Sequence, residues 1–316
     1  MSVLSTVHKR INYCNGFTVG PYEQQQRLKR VSLDAQLMLA FSRATQQWSV
    51  QALEYKPFLR FMIADYLNGL TANNLGTILK KILKDRASGA FVVTYPRETD
   101  ISPMQQTELS IKLSTAVAHL VGKADHDAMY GHYYARFSVK NSDNSDSYLR
   151  QAHRRMELHN DGTYVSERTD FVLMQKLQEQ NMCGGESLLL HIDDWGERDK
   201  FYQHPMAKQD IIWRAPKSKN VGKKQRHPVF FEEDRQGRPH MLYIDQFAEP
   251  ENLQQARYLY EMGESLETDP NYVKVTLQEG AMLVVQNHCW LHGRDKFQAH
   301  PQLHRELLRQ RGHFTD

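Results

Sequence analysis

The sequence predicts a mainly β protein with a helical N-terminal third, a jelly roll buttressed by helices. Three observations lead there. Apolar residues recur at helical spacing between about residues 50 and 125, short strand-like runs bounded by turn residues dominate from 131 to 312, and no internal repeat breaks either pattern. A chain of 316 residues sets a prior near two domains, yet barrels and sandwiches often use roughly 200–250 residues as one unit, so a single domain over 1–316 is expected.

The elements follow in order. Residues 1–45 are polar and mixed, with Gln24-Gln25-Gln26 and little periodicity, and read as an arm or loosely packed cover. Over 56–86, Phe58, Phe61, Met62 and Ile63, then Leu75, Ile78, Leu79, Ile82 and Leu83, recur at i, i+3, i+4 and predict two helices. Residues 89–95 form a short apolar strand. Pro103 opens another helix, with Leu109, Leu113, Ala116, Val117 and Leu120 on one face and its end near Gly122. Strands are expected at 133–140, 155–160, 170–177, 186–192 and 211–215. A hairpin around Gly237 joins 228–233 to 239–245, and a second joins 272–277 to 281–287 through Glu279-Gly280. A helix at roughly 251–267 interrupts the series, and a strand at 304–312 closes it.

Composition excludes several classes. The net charge of +3, from 40 basic and 37 acidic residues, gives no general bias toward nucleic acid. The basic stretch from Lys217 to His227 lacks interleaved aromatics for base stacking and reads as a solvated loop. Cys14, Cys183 and Cys289 show neither disulfide-framework nor zinc spacing. There is no charged-then-apolar leader pattern and no apolar run near 18 residues, so a soluble, cytoplasmic protein with no membrane partner is expected.

The chemistry is concentrated in His159-Asn160-Asp161. At strand spacing, positions i and i+2 share a face, so one imidazole and one carboxylate can reach one metal ion. With 15 His in the chain, roughly one H-x-D should occur by chance, and there are two. His191-Ile192-Asp193 ends the apolar run Ser187–Leu190 and reads as a strand-end His followed by a helix-capping Asp193 or Asp194. His159-x-Asp161 instead runs into Gly162-Thr163, a turn where metal and substrate can approach the backbone. A further imidazole lies downstream at His288, His292, His300 or His304, and strand parity leaves 288 and 292 equally eligible. Two His and one carboxylate on one side of a metal leave positions open, as non-haem Fe(II) oxygenases require. Arg305, Arg309 and Arg311 are odd-numbered on one predicted strand, so they share a face and present planar forks suited to carboxylates.

The order His159-x-Asp161, Gly184-Gly185-Glu186-Ser187-Leu188, Asn287-x-x-x-x-His292-Gly293-Arg294 and Arg305-x-x-x-Arg309 resembles 2-oxoglutarate-dependent oxygenases of the taurine-dioxygenase and clavaminate-synthase type. From about residue 50 to 312 the chain is similar, more specifically, to the carbon-starvation-induced bacterial members of lysine degradation. Val50–Lys56, Tyr134–Phe137, Asn144–Gln151, Tyr243–Phe247 and Trp290–Asp295 carry that closer likeness. The resemblance implies a double-stranded β-helix, Fe(II) held by His159, Asp161 and His292, and 2-oxoglutarate and O₂ as co-substrates. It places Arg305 on the distal 2-oxoglutarate carboxylate, Ser187 where many relatives have Thr, and Arg309 toward the substrate. It further implies glutarate hydroxylated at C2, with succinate and CO₂ released, by a homotetramer. A second dicarboxylate needs its own donors, and Arg309, Arg311, Arg136 and Tyr164 are the candidates, although Arg136 suits an ion pair and Tyr164 a core position equally. Rival readings are the same chemistry on another small acid, a non-oxidative metal-binding jelly roll, and a zinc hydrolase.

Overall fold

The computed structural model describes residues 12–23, 25–97, 100–127, 130–141, 152–215 and 224–315. The segment Asn144–Gln151 and most of the basic stretch from Lys217 lie outside the described residues. The chain divides into two compact units, residues 1–121 with 281–283, and residues 122–280 with 284–316. Among the described residues no helix is long and apolar enough to cross a membrane.

In the first unit, strands β1 (Asn12–Cys14), β2 (Phe17–Tyr22) and β3 (Gln25–Leu33) form an antiparallel meander. β3 then pairs in parallel with β4 (Ala90–Thr94), Leu28 opposite Ala90 and Ser32 opposite Thr94. Parallel neighbours need a crossover. Helices α1 (Ala35–Thr45), α2 (Val50–Tyr55), α3 (Phe58–Leu70) and α4 (Leu75–Lys84) supply it. The sequence suggests an arm over residues 1–45, but from Phe17 onward the chain contributes to the core, with Phe17, Leu28, Val31, Leu33, Leu37, Met38 and Phe41 all buried. The partner of β3 lies about sixty residues downstream, and Lys29 and Arg30 break up the local apolar pattern, so no short window could reveal the strand. Asp34 starts α1 by accepting the Leu37 amide at 2.7 Å, and Ser49 starts α2 by accepting that of Ala52 at 3.1 Å.

Helix α5 (Pro103–Val121) matches its predicted bounds, yet it is buried on nearly every side rather than along one stripe. Its polar side chains manage burial by bonding back to carbonyls. Ser114 and Thr115 donate to Ile111 O, His119 Nδ1 meets Thr115 O, and Lys112 Nζ reaches Thr45 O at 3.1 Å.

The second unit is β-rich. Its strands are β5 (Gly122–Ala124), β6 (Ala135–Lys140), β7 (Met156–His159), β8 (Phe171–Gln180), β9 (Ser187–His191), β10 (Ile211–Trp213), β11 (Gln225–His227), β12 (Phe230–Glu233), β13 (Pro239–Met241), β14 (Ala248–Glu249), β15 (Val273–Val275), the greater part of β16 (Met282–Gln286), β17 (Trp290–Arg294) and β18 (His304–Phe314). Short helix α6 (Arg198–Tyr202) and long helix α7 (Leu253–Thr268) interrupt them. One sheet runs β16–β8–β18–β5, with β6 also paired to β18, and the other runs β15–β9–β17–β7. The hairpin of β12 and β13 turns at Gly237, whose φ of 72° is the left-handed conformation expected there.

The second expected hairpin does not form. β15 pairs with β9, whereas β16 lies beside β8 in the other sheet. The Glu279-Gly280 turn is docked on β8: the Gly280 amide donates to Lys176 O at 2.7 Å, and the Glu179 amide to Glu279 Oε1 at 2.7 Å. That docking carries the chain across from one sheet to the other, as a jelly roll requires. β17 stands apart from β16, because Asn287-His288-Cys289 form a tight turn just after the end of the expected 281–287 strand. The described end of the basic stretch is not free loop either: β11 pairs with β10, and Arg226 grips Glu251 with two bonds, of 2.9 and 2.7 Å.

The sheet of β7, β9, β15 and β17 has two distinct faces. Leu158, Leu188, Leu190 and Leu291 join one apolar cluster with Tyr258, Leu259, Met262 and Leu266 of α7. Residues opposite one another across strands share a face. His159 lies opposite His292, Leu189 opposite His292, and Ser187 opposite both Arg294 and Val275. The packing of α7 on one face therefore turns the imidazoles and Ser187 toward the other.

Candidate metal centre

His159 ends β7 and His292 sits mid-β17, so pairing of the two strands brings the imidazoles together, tilted at 50° with centroids 4.4 Å apart. Asp161, two residues on, returns its carboxylate to 3.8 Å from His159 Nε2. Potential ligand atoms of all three residues lie within 4.8 Å of one another, and all three are buried. Among the described residues no other group of His, Cys, Asp and Glu meets that condition. His159 Nδ1 lies 2.8 Å from Glu157 O. A carbonyl only accepts, so Nδ1 carries the proton and Nε2 keeps its lone pair for a metal.

Electrostatics suit the same role. Burial, aided by neighbouring His159, pushes the His292 imidazole down to about 3, and its buried Nδ1 has no hydrogen-bond partner. Burial alone would push the Asp161 carboxyl up, but Arg309 and Arg311, with the two imidazoles, outweigh it and hold the group well below the usual carboxylate range. Neutral imidazoles and an ionised carboxylate are the states a divalent ion binds. Arg309 Nη1 stands 3.1 Å from Asp161 Oδ2, an ion pair without hydrogen-bond alignment, since that oxygen has no hydrogen-bond donor.

The loop carrying Asp161 is braced by two asparagines. Asn287 accepts the Asp161 amide at 2.9 Å and donates to Asp161 O and Thr169 O, each at 2.8 Å. Asn160, between the two ligands, donates to Asn287 O at 2.6 Å and Trp290 O at 3.1 Å, and accepts the Tyr243 amide at 3.0 Å. Sequence reasoning had no role for either. Asn287 stood in a quoted motif, and nothing marked Asn160. Gly293 is constrained by close packing: a Cβ there would lie 2.5 Å from Met156 O, at the bulge where β17 meets β7.

The three arginines separate. Buried Arg305 donates to Gly185 O at 2.9 Å and leaves Nε unpartnered. Burial, with Arg294 nearby, lowers its guanidinium to about 9. Gly184 and Gly185 both have positive φ, and a Cβ at Gly185 would run into the Phe297 ring at 1.9 Å, over which Arg294 and Arg305 both stand. Arg309 and Arg311 instead share Asp127 Oδ2, at 3.3 and 3.1 Å. Tyr164 is buried edge-on to Phe247 at 5.2 Å. Ser187 is buried on the imidazole face by register.

Not every candidate joins the cluster. Arg136 is exposed on β6 and paired with Glu306 at 2.7 Å. His288 occupies the turn, edge-on to Phe231 at 5.1 Å, and His300 is exposed beyond β17. His191 is fully buried against Trp290, with ring centroids 4.9 Å apart. The expected cap is not seen there: Glu197 precedes α6 without a side-chain cap, and Asp193 pairs with Arg198 at 2.8 Å and Arg238 at 3.3 Å.

Comparison with known proteins agrees with this geometry. The CsiD family model matches residues 17–314. Glutarate 2-hydroxylase of Citrobacter koseri is 51% identical over 300 residues, covering 95% of this chain and 91% of the relative. The Salmonella typhimurium protein of that name is 52% identical over the same shares. Asparagine oxygenase in complex with Fe(II), a hydroxyasparagine and succinate superposes with a TM-score of 0.70 at 16% identity, over 90% of this chain and 93% of that one. The non-haem iron oxygenase OrfP, in complex with Fe and alpha-ketoglutaric acid, gives 0.68 at 17% identity, over 91% and 94%. The fold is thus that of the non-haem iron oxygenases, here with a two-His, one-carboxylate centre. Within that class, the chain belongs to the CsiD family.

Proposed function

We propose that the protein hydroxylates glutarate at C2: glutarate, 2-oxoglutarate and O₂ give 2-hydroxyglutarate, succinate and CO₂. The observation that carries this is the buried trio His159, Asp161 and His292 facing a roll that also holds Arg305 without a carboxylate partner among the described residues. His159, Asp161 and His292 would hold Fe(II), an ion that two imidazoles and one carboxylate suit. Bound Fe(II) supplies the activation of O₂, coupled to oxidative decarboxylation of 2-oxoglutarate.

The protein's own groups bind and orient. Arg305, with one N–H on Gly185 O and Nε bare, supplies a fork for the distal 2-oxoglutarate carboxylate, and Ser187 a hydroxyl on the imidazole face. Arg309 and Arg311 offer the cations for a substrate carboxylate, and Tyr164 a neutral hydroxyl. Arg136 is the weakest candidate, since Glu306 already occupies it. The reading includes a cytoplasmic homotetramer serving lysine degradation. Exposed Phe58, Phe61, Met62, Tyr66 and Leu70 along α3 support association, and gel filtration with light scattering tests it.

The test is an assay with Fe(II), 2-oxoglutarate and glutarate, with and without O₂, following succinate and hydroxylated product. Equal succinate and 2-hydroxyglutarate, formed only with all components, is the expected result. Turnover without O₂ or 2-oxoglutarate would instead favour a hydrolase.

A further inference from the structure

One buried carboxylate near the site is assigned no part in holding metal or 2-oxoglutarate. Asp127 lies where its amide donates to His132 O at 2.7 Å and its carbonyl accepts the amides of Tyr130 at 3.1 Å and Gly131 at 2.9 Å. The preceding backbone is tied to β18, since the Asp125 amide donates to Arg311 O at 2.8 Å. From Asp127 a single oxygen, Oδ2, meets Nη2 of Arg309 at 3.3 Å and Nη2 of Arg311 at 3.1 Å. Asp127 and Arg309 are buried, and Arg311 largely so.

Two guanidiniums converging beside a metal-binding carboxylate repel each other, and each long side chain has many rotamers to lose on being ordered. A shared carboxylate answers both difficulties. It fixes one edge of each fork and cancels one of the two positive charges. Asp161 is committed to the metal, so one positive charge remains, matching one carboxylate. Arg309 Nε is buried with no hydrogen-bond partner, a donor placed for an acceptor that the protein itself does not provide.

We propose that Asp127 is a positioning residue for substrate, holding Arg309 and Arg311 side by side so that together they bind one carboxylate of a small diacid. The inference rests on the oxygenase reading above. It predicts a division that a merely structural residue would not produce. Arg305 is held by Gly185 O and not by Asp127, so 2-oxoglutarate binding should be insensitive to changes at position 127.

The experiment compares wild type with Asp127→Asn and Asp127→Glu, measuring KM separately for glutarate and for 2-oxoglutarate. Asn keeps the shape and removes the charge, and Glu keeps the charge but displaces it by one methylene. Each variant that folds should raise the glutarate KM about 10-fold or more, equivalent to about 1.4 kcal/mol, with the 2-oxoglutarate KM within about 2-fold of wild type. A glutarate KM unchanged within about 2-fold, or equal rises in both values, overturns the proposal. If wild-type enzyme makes no succinate in response to glutarate, it is the substrate reading that fails. The same pair of constants is then measured on whichever C4–C6 diacid does drive succinate formation.

Discussion

His159 and His191 both precede an Asp at i+2, both end strands and both are buried, yet their partners give them different chemistry. His159 is oriented by a carbonyl on Nδ1 and turns Nε2 to Asp161, whereas His191 packs on Trp290 with its Asp engaged by Arg198 and Arg238. His159→Ala and His292→Ala should each abolish iron retention, measured by metal analysis after gel filtration, and turnover with it. His191→Ala should keep iron while losing about 1–3 kcal/mol of stability as a core truncation, and loss of iron there would undo the assignment. Among the arginines, charge-assisted contacts worth about 1.5–3 kcal/mol predict that Arg305→Ala weakens 2-oxoglutarate by about 10- to 100-fold, with Arg309→Ala doing so for substrate. If Arg309→Ala raises only the 2-oxoglutarate KM, the roles are exchanged. His288 gives a pH prediction. Burial, then His240, Arg168 and His313 around it, pushes its imidazole down to about 3, with Asp170 4.0 Å away. Unfolded, the ring takes a proton near pH 6.5, so between about 6.5 and 3 the unfolded state binds more protons. Stability is therefore present above about pH 6.5 and falls as pH drops toward 3. Urea midpoints at pH 7 and 4.5 should differ less for His288→Gln than for wild type.

At the scale of elements, the centre depends on how closely β17 approaches β7. Gly293 lies at their bulge, where a methyl group would sit 2.5 Å from Met156 O and 3.1 Å from Glu157 O. Neither is a flexible side-chain tip, so the strands must part. Glu157 O is also the acceptor that orients His159. Gly293→Ala should accordingly lower both the melting temperature and iron affinity, the latter by about 10-fold or more if the oriented imidazole is disturbed. Normal iron affinity in a destabilised variant would show that the close approach serves packing alone. α7 works from the opposite side. Asn252 caps its first turn through the Gln255 amide at 2.9 Å, and its apolar stripe fixes which face of β7, β9 and β17 looks into the roll.

At the scale of the molecule, the substrate argument is one of length. If Arg309 and Arg311 are fixed on β18 by Asp127, a cation so placed cannot follow a carboxylate displaced by one methylene. Succinate and adipate should then be poor prime substrates, and valerate poorer still, since it leaves a guanidinium unpaired. Comparable kcat/KM for glutarate and valerate would mean that no second carboxylate is bound, and the five-carbon diacid would lose its place while the oxygenase chemistry kept its own.

Much of this was legible in the chain alone. Helical spacing marked α3, α4, α5 and α7 within a residue or two at most ends, and alternation or apolar runs marked β4, β6, β7, β8, β9 and β18, because those signals are local. The trio that the structure brings together was legible through spacing at His159-x-Asp161, and through resemblance at His292, where parity alone left His288 open. Tertiary structure decided the rest. β3 is a strand because β4 returns beside it, and β15 and β16 part because Glu279-Gly280 docks on β8. His288 is set aside because Asn287-His288-Cys289 turn the chain before β17. Asn160, Asn287 and Asp127 acquire their roles from partners more than a hundred residues away. Spacing along a chain reports which side chains share a face, but a hydrogen bond or ion pair between distant segments exists only once the sheets have closed.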